Sequence, residues 1–371
     1  MARIVWFFAK LYSYTQFSEK LCTKTVDNFF WHKELDKVKT QMMDANHTDV
    51  YEQAAHLLQQ GELVAFPTET VYGLGAIATN AEAVAAIFEA KGRPSDNPLI
   101  VHIGNMSAVE TYCNDVSAIA KKCMTAFWPG PLTLVMHAKP QTLAENVTAG
   151  LSTVGVSMPD HPVSLKLLKT VKAPIAAPSA NRSGKPSPTR ASHVYDDLAN
   201  RIPLIVDGGR TGVGLESTVL DVTQQPPIIL RPGGVTKEML EAVIGEVCVA
   251  ELTDAPEAPR APGMKYTHYA PNAPVYLIEE STEKITDALT ELAHERVALI
   301  APASCEVSAP IRISLGDSAD IAVNLYDALR ACDKTDATII LVTATPTSGV
   351  GSAIMNRLEK AAGGRWYKTT V

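Results

Sequence analysis

The chain has 371 residues, of which 46% are hydrophobic and 20% are charged. This length fits roughly two domains of ~150 residues each, and this composition excludes a disordered chain, a collagen and a coiled coil. The formal net charge of −7 argues against a protein built mainly to coat nucleic acid or an anionic membrane.

Residues 1–41 show neither the pattern of a folded element nor that of a targeting signal. The apolar run at 4–9 is shorter than a signal-peptide core of ~7–15 residues and far shorter than a membrane span of ~20. Transit peptides avoid acidic residues, and this segment has Glu19, Asp27, Glu34 and Asp36. We expect residues 1–41 to be an extension outside the folded core, with an amphipathic arm that packs on a partner as the alternative.

The first half of the chain mixes helical and strand patterns. A helix that ends at Gly61 is followed by a strand at 63–66, and Thr79 with Glu82 forms a capping box for the next helix, which Gly92 ends. Further apolar runs are typical of strands: 98–103, 131–137, 153–156, 174–177, 203–207, 217–221 and 227–230. Because helices separate only some of these strands, we expect a twisted mixed sheet with helices packed on it.

A proline-rich segment divides the chain at 249–274. Its prolines remove backbone donors and favour an extended, semi-rigid linker: Pro256, Pro259, Pro262, Pro271 and Pro274. After it, strands and helices alternate, with strands at 275–278, 296–301 and 338–344 and helices near 282–294, 319–331 and 352–362. This alternation predicts a small parallel α/β domain.

The cysteines are scattered without a CxxC pair or a Cys/His cluster: Cys22, Cys113, Cys123, Cys248, Cys305 and Cys332. This spacing indicates neither a disulfide framework nor a structural zinc site, and it fits a reducing cytoplasm.

Two nucleotide-binding motifs are rejected. Residues 73–78 match GxGxxG/A, but the polar residues 67–70 separate them from the strand, whereas the turn of a dinucleotide fold follows its strand directly. The segment Ser183-Gly184-Lys185 is followed by proline and lacks the upstream glycine of a P-loop.

Polar loops recur beside the apolar elements of the first half, at 67–70, 91–94, 178–181, 215–218 and 231–234. Between residues 151 and 235, nine Lys/Arg oppose six Asp/Glu, a local excess of three positive charges in an acidic chain. Taken singly, each loop is explained as a turn or a solvated charge. Cations, hydroxyls and an amide that recur in order beside flexible glycines favour a pocket for phosphate and a small acid.

These segments, in chain order, closely resemble the threonylcarbamoyl-AMP synthase family in its long form: FPTETVYGLG, KGRPSDNPLIVHI, WPGPLTLV, MPDHP, PSAN, LESTV, RPGG and GMKYTHYAP. The resemblance runs from about residue 48 to the C-terminus. It implies a YrdC-like catalytic domain at 48–248, whose twisted mixed sheet has flanking helices. The proline-rich linker at 249–274 would join it to a small Rossmann-like parallel α/β domain at 275–371.

The resemblance implies a cytoplasmic nucleotidyltransferase that makes threonylcarbamoyl-AMP and pyrophosphate from L-threonine, bicarbonate and ATP. A separate transferase complex would then move the threonylcarbamoyl group to an adenosine beside the tRNA anticodon. Mg²⁺ is expected to bind through the phosphates, without protein side chains as ligands, and no membrane association is expected.

The resemblance also implies site residues, position by position. Lys91 and Arg93 are the expected catalytic residues. ATP contacts are expected from Lys91, Arg93, Asn97, Thr153, Ser179, Asn181, Thr189, Arg231 and Tyr269. Threonine contacts are expected from Thr70, His102, Ser157, Ser179 and Ser217. His268 and Tyr269 of the linker are expected to fold over the pocket as a lid.

One position departs from the family pattern. In TVGVSMPDHP, Ser157 stands where relatives usually carry an arginine, which would hold the threonine carboxylate. A hydrogen bond to a charged group contributes ~1.5–3 kcal/mol, so its loss predicts threonine binding weakened by roughly ten- to a hundredfold. Either another cation substitutes, or this protein binds threonine poorly, or it prefers a different acid.

Two other functions stay open at this point. An RNA-binding module is one, because the fold resembles proteins credited with binding double-stranded RNA. The acidic net charge and the lack of basic, aromatic-rich stripes count against this function. Weak RNA binding stays open as an additional property. The other is a relative that forms a carbamoyl-adenylate from another carbamoyl source, which the HYAP segment and the second domain disfavour.

Overall fold

The computed structural model describes residues 38–250 and 269–368, which form two sheets with helices packed on them. The rest of the expected extension, most of the expected linker with His268, and residues 369–371 lie outside the described residues. Within the described ranges, no helix is both long and apolar enough to cross a membrane.

The first sheet has eleven strands among the described residues: β1 Gln41–Asp44, β2 Val64–Pro67, β3 Tyr72–Ile77, β4 Ile100–His102, β5 Leu132–His137, β6 Thr153–Ser157, β7 Ile175–Ala176, β8 Leu204–Asp207, β9 Thr218–Asp221, β10 Ile228–Arg231 and β11 Cys248–Val249. Their order across the sheet is β1-β8-β2-β3-β7-β4-β6-β5-β9-β10-β11. Strand β6 pairs parallel with β4 and antiparallel with β5. The predicted mixed sheet is therefore confirmed.

Helices of the same part of the chain are α1 Val50–Gln59, α2 Ala81–Lys91, α3 Val109–Tyr112, α4 Ala118–Phe127, α5 Glu145–Thr148, α6 Pro162–Val171, α7 Ala191–Leu198 and α8 Lys237–Ile244. Helix α2 ends as predicted at Gly92, which has a left-handed φ of 61°. Its predicted capping box at Thr79 is wrong by one residue. The cap is Asn80, whose Oδ1 accepts hydrogen bonds from the amides of Glu82 and Ala83, both at 3.1 Å.

The glycine-rich segment that imitates a dinucleotide motif lies inside strand β3, which pairs antiparallel with β2. A Cβ atom on Gly75 would stand 2.7 Å from the ring of Phe66 and 2.8 Å from Ile175. Close packing of neighbouring strands therefore explains glycine at this position, and no phosphate-binding turn is present in β3.

Strand β1 begins at Gln41, the last residue assigned to the extension, and it was not predicted. It pairs parallel with β8 over its whole length, and the Thr40 hydroxyl donates to the carbonyl of Ile202 at 2.6 Å. Three of the four residues of β1 are exposed, so the strand lacks the apolar alternation that would reveal it in a sequence.

The C-terminal domain, described here over 269–368, has a separate sheet with strands β12 Val275–Ile278, β13 Val297–Ala301, β14 Ile311–Ser314 and β15 Ile339–Thr343. All its strand pairs are parallel, in the order β12-β15-β13-β14. Its helices are α9 Thr282–Glu291, α10 Ile321–Cys332 and α11 Gly351–Ala362. The predicted parallel α/β domain is confirmed, with β14 as an additional strand.

Candidate functional site

A cavity opens among loops of the first sheet and is also bordered by Tyr269. It is lined by Thr68, Thr70, Val71, Gly73, Arg93, Ile100, His102, Ala177, Pro178, Ser179, Asn181, Glu216, Ser217, Arg231 and Tyr269. The lining therefore combines hydroxyls, an amide and an imidazole with two guanidinium groups. Groups of this kind are suited to a ligand that carries phosphate and carboxylate.

Lys91, the last residue of α2, is buried behind the cavity wall. Its ammonium donates to the backbone carbonyls of Ser179 and Asn181, the latter at 2.5 Å, and to Asn181 Oδ1 at 3.3 Å. Burial, reinforced by the charge of Arg93, holds the pKa of Lys91 well below its usual range. Lys91 thus shapes the loop 178–181 and places a concealed cationic group next to the cavity.

The loop 178–181 is fixed by its own side chains. Ser179 Oγ donates to Asn181 Oδ1 at 2.6 Å, while Asn181 Nδ2 donates to the carbonyls of Arg182 and Lys185, both at 2.8 Å. Because every polar atom of the Asn181 amide has a partner, the loop is held in one conformation at the cavity.

Arg93 follows α2 and reaches the cavity. Its Nη2 lies 3.3 Å from the carbonyl oxygens of Asn97 and Pro98, and its guanidinium stands 6.0 Å from the centre of the Phe88 ring. Asn97 does not line the cavity; its side chain is buried behind Arg93, and its Oδ1 lacks a hydrogen-bond partner within the described structure.

His102 ends strand β4 beside the ring of Phe66. Its Nε2 lies 3.3 Å from the carbonyl of Ala177, which can only accept, so Nε2 carries the proton and Nδ1 is an acceptor. Nδ1 is buried and has no partner among the described residues. Burial lowers the pKa of His102 to about 4, against the opposing effect of Ala177, so the imidazole is neutral near pH 7.

Ser157 does not line the cavity, although one of its neighbours in the sheet, His102, does. In the sheet it is paired with His102 on one side and Thr133 on the other. Its hydroxyl donates to the carbonyl of Leu132 at 3.2 Å, while Thr133 Oγ1 is 2.7 Å from Ser217 Oγ. No cation stands at this position of the sheet, as the sequence indicated.

Arg231, which ends β10, is buried against Ser217. Its Nε and Nη2 donate to the Ser217 carbonyl at 3.2 and 2.9 Å, and Nη2 also donates to Ser217 Oγ at 3.3 Å. A guanidinium stays charged even when buried, so this side of the cavity carries a fixed positive charge held next to a hydroxyl.

Sequence reasoning missed Glu216, which is buried at the cavity. Its Oε2 accepts from Arg357 Nε at 2.9 Å and from the Tyr326 hydroxyl at 2.8 Å, and its Oε1 accepts from Ser187 Oγ at 2.5 Å. Burial favours the neutral acid, but Arg357 and then Arg231 outweigh it and lower the pKa of Glu216 to about 2. In the sequence, the position of Glu216 between the apolar Leu215 and the predicted site residue Ser217 could have indicated that its carboxylate is buried near the site.

Glu69 lies beside the cavity without lining it. It is in the turn between β2 and β3, between Thr68 and Thr70, whose hydroxyl oxygens are 2.7 Å apart. Its Oε2 accepts from the amide of Asp160 at 3.1 Å. Burial, with a smaller contribution from the Asp160 charge, raises the pKa of Glu69 to about 7 despite two backbone hydrogen bonds that lower it.

The cavity brings together eight of the predicted residues: Thr70, Arg93, His102, Ser179, Asn181, Ser217, Arg231 and Tyr269. Thr153 and Thr189 do not line it. Thr153 begins β6, at the opposite end of the strand from Ser157, and Thr189 donates through its hydroxyl to Asp327 at 3.2 Å. His268 lies outside the described residues.

Two family models match the chain. One, described as telomere recombination, matches residues 56–233, and the other, described as the C-terminal domain of threonylcarbamoyl-AMP synthase, matches residues 235–363.

Curated relatives match over most of the chain. The threonylcarbamoyl-AMP synthase of Bacillus subtilis is 53% identical over 324 residues, which cover 84% of this chain and 93% of the relative. That of Pyrococcus abyssi is 46% identical over 324 residues, which cover 85% of this chain and 94% of the relative.

A solved structure also matches both domains. The crystal structure of Pyrococcus abyssi Sua5 complexed with L-threonine is 44% identical and has a TM-score of 0.85. The match covers 89% of this chain and 99% of that one.

Proposed function

The chain belongs to the threonylcarbamoyl-AMP synthase family, and we propose that its cavity converts L-threonine, bicarbonate and ATP into threonylcarbamoyl-AMP and pyrophosphate. The observation that carries this proposal is the single cavity wall that combines Arg93, Ser179 and Asn181 with His102 and Ser217. A 44% identical solved structure is a complex with L-threonine, which supports the amino acid as one substrate.

The reaction needs two bond-forming steps. Bicarbonate takes up a proton and loses water to give CO₂. The nitrogen lone pair of the neutral threonine amine attacks the carbon of this CO₂, and loss of a proton from the nitrogen gives a carbamate. A carbamate oxygen then attacks the α-phosphorus of ATP, and the bond to the departing pyrophosphate breaks. Since the reacting groups all belong to the substrates, the protein contributes position and electrostatic stabilisation.

Thr70, His102 and Ser217 would hold threonine. The neutral imidazole of His102 presents Nδ1 as an acceptor, which is suited to orient an amino group that must lose its proton before it reacts. Ser217 Oγ is held between Thr133 and Arg231, so its position is fixed before a ligand arrives.

ATP would bind along Arg93, Ser179 and Asn181, with further contacts from Arg231 and Tyr269. Lys91 lies directly behind Ser179 and Asn181, and its charge would be favoured by a nearby triphosphate. The cations Lys91 and Arg93 would then stabilise the negative charge that grows on pyrophosphate.

The remaining assigned contacts lie farther from the lining. Asn97 would act behind Arg93, and Ser157 beneath the threonine side of the cavity. Thr153 and Thr189 would reach ATP only where the nucleotide extends beyond the cavity wall described here. The lid formed by His268 and Tyr269 stays a prediction.

Mg²⁺ would enter the site on the phosphate oxygens of ATP. Over the ranges that the structure describes, no group of three or more His, Cys, Asp or Glu side chains could hold a metal ion. The one carboxylate in the cavity lining, Glu216, is already bound by Arg357 and Tyr326. Bound Mg²⁺ would neutralise part of the phosphate charge.

The wider setting belongs to the same proposal. The enzyme would act in the cytoplasm, pass its product to a separate tRNA-modifying transferase complex and bind RNA weakly. Its catalytic domain would span 48–248 and its C-terminal domain 275–371, joined by the linker.

The test is pyrophosphate release from ATP and bicarbonate by the full chain, with and without L-threonine. We expect release that depends on threonine and is lost in Lys91→Ala. The control is Lys121→Ala, since Lys121 is an exposed lysine outside the cavity lining whose ammonium lies 3.5 Å from Glu110. ATP binding without release would indicate a different acid substrate. Salt-dependent RNA retention without ATP binding would indicate the binding module instead.

A further inference from the structure

We infer that Arg357 and Tyr326 of the C-terminal domain are positioning residues that act through Glu216 on the loops 215–218 and 231–234. The inference rests on the proposed function, because those loops carry the proposed ligand contacts Ser217 and Arg231. The C-terminal domain would thereby set the geometry of a reaction whose substrates bind to the other domain.

Arg357 bridges the two loops directly. It lies on α11 with no exposed surface. Its Nε donates to Glu216 Oε2 at 2.9 Å, and its Nη1 donates to the carbonyl of Pro232 at 2.9 Å. One rigid guanidinium therefore holds a side chain of the first loop and the backbone of the second at a fixed separation.

The two loops also contact each other through their backbones. A Cβ atom on Gly233 would stand 2.3 Å from the amide nitrogen of Thr218 and 2.5 Å from the carbonyl of Glu216. Together with the hydrogen bonds from Arg231 to the Ser217 carbonyl, this close approach couples the loops. A shift of Glu216 would move both ligand contacts at once.

Tyr326 makes a second connection from the same domain. It lies on α10, and its hydroxyl is 3.0 and 2.8 Å from the two Glu216 carboxylate oxygens. Its ring packs 5.2 Å from that of Tyr269, at an interplanar angle of 32°. Glu216 and Tyr269 both line the cavity, so α10 contacts its wall at two residues.

A contribution to stability alone does not explain this arrangement. Buried ion pairs are often no more stabilising than apolar residues of the same size, because two charges lose their hydration. Another buried pair already joins the domains: Arg330 Nη2 donates to Asp197 Oδ2 at 2.7 Å. Asp197 is not part of the cavity lining, so that pair supplies a control for the loops 215–218 and 231–234, whereas its two charges act on Lys91.

The experiment compares Arg357→Gln and Tyr326→Phe with the control Arg330→Gln, all in the full chain. For each, the KM values for L-threonine and ATP and kcat are measured by pyrophosphate release, and thermal unfolding is measured in parallel. Hydrogen–deuterium exchange of the loops 215–218 and 231–234 is the readout that does not require activity.

We expect Arg357→Gln to raise both KM values by about tenfold or more, the loss predicted for a hydrogen bond to a charged group, with a smaller change in kcat. Exchange should become faster in both loops. Tyr326→Phe should give a weaker effect of the same kind, since Arg357 remains. Arg330→Gln should lower thermal stability without changing the KM for L-threonine or the exchange of the two loops. Its KM for ATP is left out of the comparison because the Arg330 charge acts on Lys91.

Unchanged KM and loop exchange in Arg357→Gln would overturn the inference, as would the same changes in Arg330→Gln. If Arg357→Gln does not fold, the inference is tested by Tyr326→Phe, which removes one hydroxyl and keeps the ring. Unchanged KM values and unchanged loop exchange in Tyr326→Phe would then overturn it. If the wild-type protein releases no pyrophosphate, the proposed function fails, and the exchange comparison still decides whether the C-terminal domain positions the two loops.

Discussion

Ser157 and His102 are register partners on β6 and β4, so their side chains share one face of the sheet. Thr133 continues the same row on β5, and its hydroxyl contacts Ser217 at the cavity. Ser157 is therefore the middle member of a polar row whose two neighbours reach the proposed threonine site.

This row predicts the effect of Ser157→Arg. A guanidinium introduced between His102 and Thr133 would meet the threonine carboxylate, so we expect the KM for L-threonine to fall roughly tenfold or more while that for ATP changes little. Steady-state kinetics at saturating ATP measure it. Ser152→Arg, at the exposed entrance to the same strand, is the control. An unchanged or higher threonine KM in Ser157→Arg contradicts this assignment.

ATP binding should be coupled to proton uptake at Lys91. Burial and Arg93 depress the pKa of this ammonium in the free protein, and the negative charge of a triphosphate would raise it again. We expect net proton uptake at pH values between the pKa of free Lys91 and its raised value with ATP bound, measured by titration calorimetry over a pH series in two buffers of different ionisation enthalpy.

In Lys91→Met the uptake should disappear and ATP should bind more weakly, while Lys121→Met should behave as the wild type. Undiminished uptake in Lys91→Met would assign the proton to another group.

Stability should fall on acidification because of His102. Its pKa is 6.5 in the unfolded chain and about 4 in the folded one, so between these values the unfolded chain binds more protons. The contribution of His102 to the free energy of unfolding should therefore rise with pH across this window, by up to about 3 kcal/mol at ~1.4 kcal/mol per pKa unit. Urea unfolding of the wild type and of His102→Gln at several pH values measures it, since the free energy of unfolding of the wild type relative to the variant should increase with pH. A parallel profile for the variant would refute the shifted pKa.

Glu69 should act with the opposite sign. Its pKa rises from 4.5 to about 7 on folding, so the folded state binds more protons between these values, and its contribution to stability declines as pH rises through them. Glu69→Gln keeps an acceptor for the Asp160 amide and removes the titration. We expect this variant to gain stability relative to wild type between pH 5 and 8, by about 3 kcal/mol at most. A pH-independent difference in urea unfolding would count against the raised pKa.

The sequence predicted those helix ends and strands whose conformation depends on neighbouring residues in the chain. The end of α2 at Gly92 follows from a left-handed conformation that glycine adopts readily, and the strands of the C-terminal domain follow from short apolar runs. Strand β1 has no buried residue and no apolar alternation that would mark it in the sequence. Strand β14 alternates apolar and polar residues over only four positions, Ile311–Ser314, and none of them is buried, so its signal is too short to separate it from a loop.

The residues of the candidate site likewise divide into those that the sequence predicted and those that it could not. Polar residue types beside strand ends predicted the loops that meet at the cavity, because their local sequences carry hydroxyls, amides and cations beside apolar runs. The partners of Glu216 could not be predicted, since Tyr326 and Arg357 lie 110 and 141 residues away in another domain. Which helix of that domain faces the loop depends on domain packing, which leaves no local signal.

Strand β1, although only four residues long, covers the edge of strand β8. It occupies the outer hydrogen-bonding groups of β8, whose Leu204, Ile205 and Val206 are buried. A protein started at Met43 would lose half of β1 and leave this apolar strand open to pairing with another copy of itself. Self-association of such a shortened protein would therefore arise from an uncovered sheet edge, even if its catalytic cavity were intact.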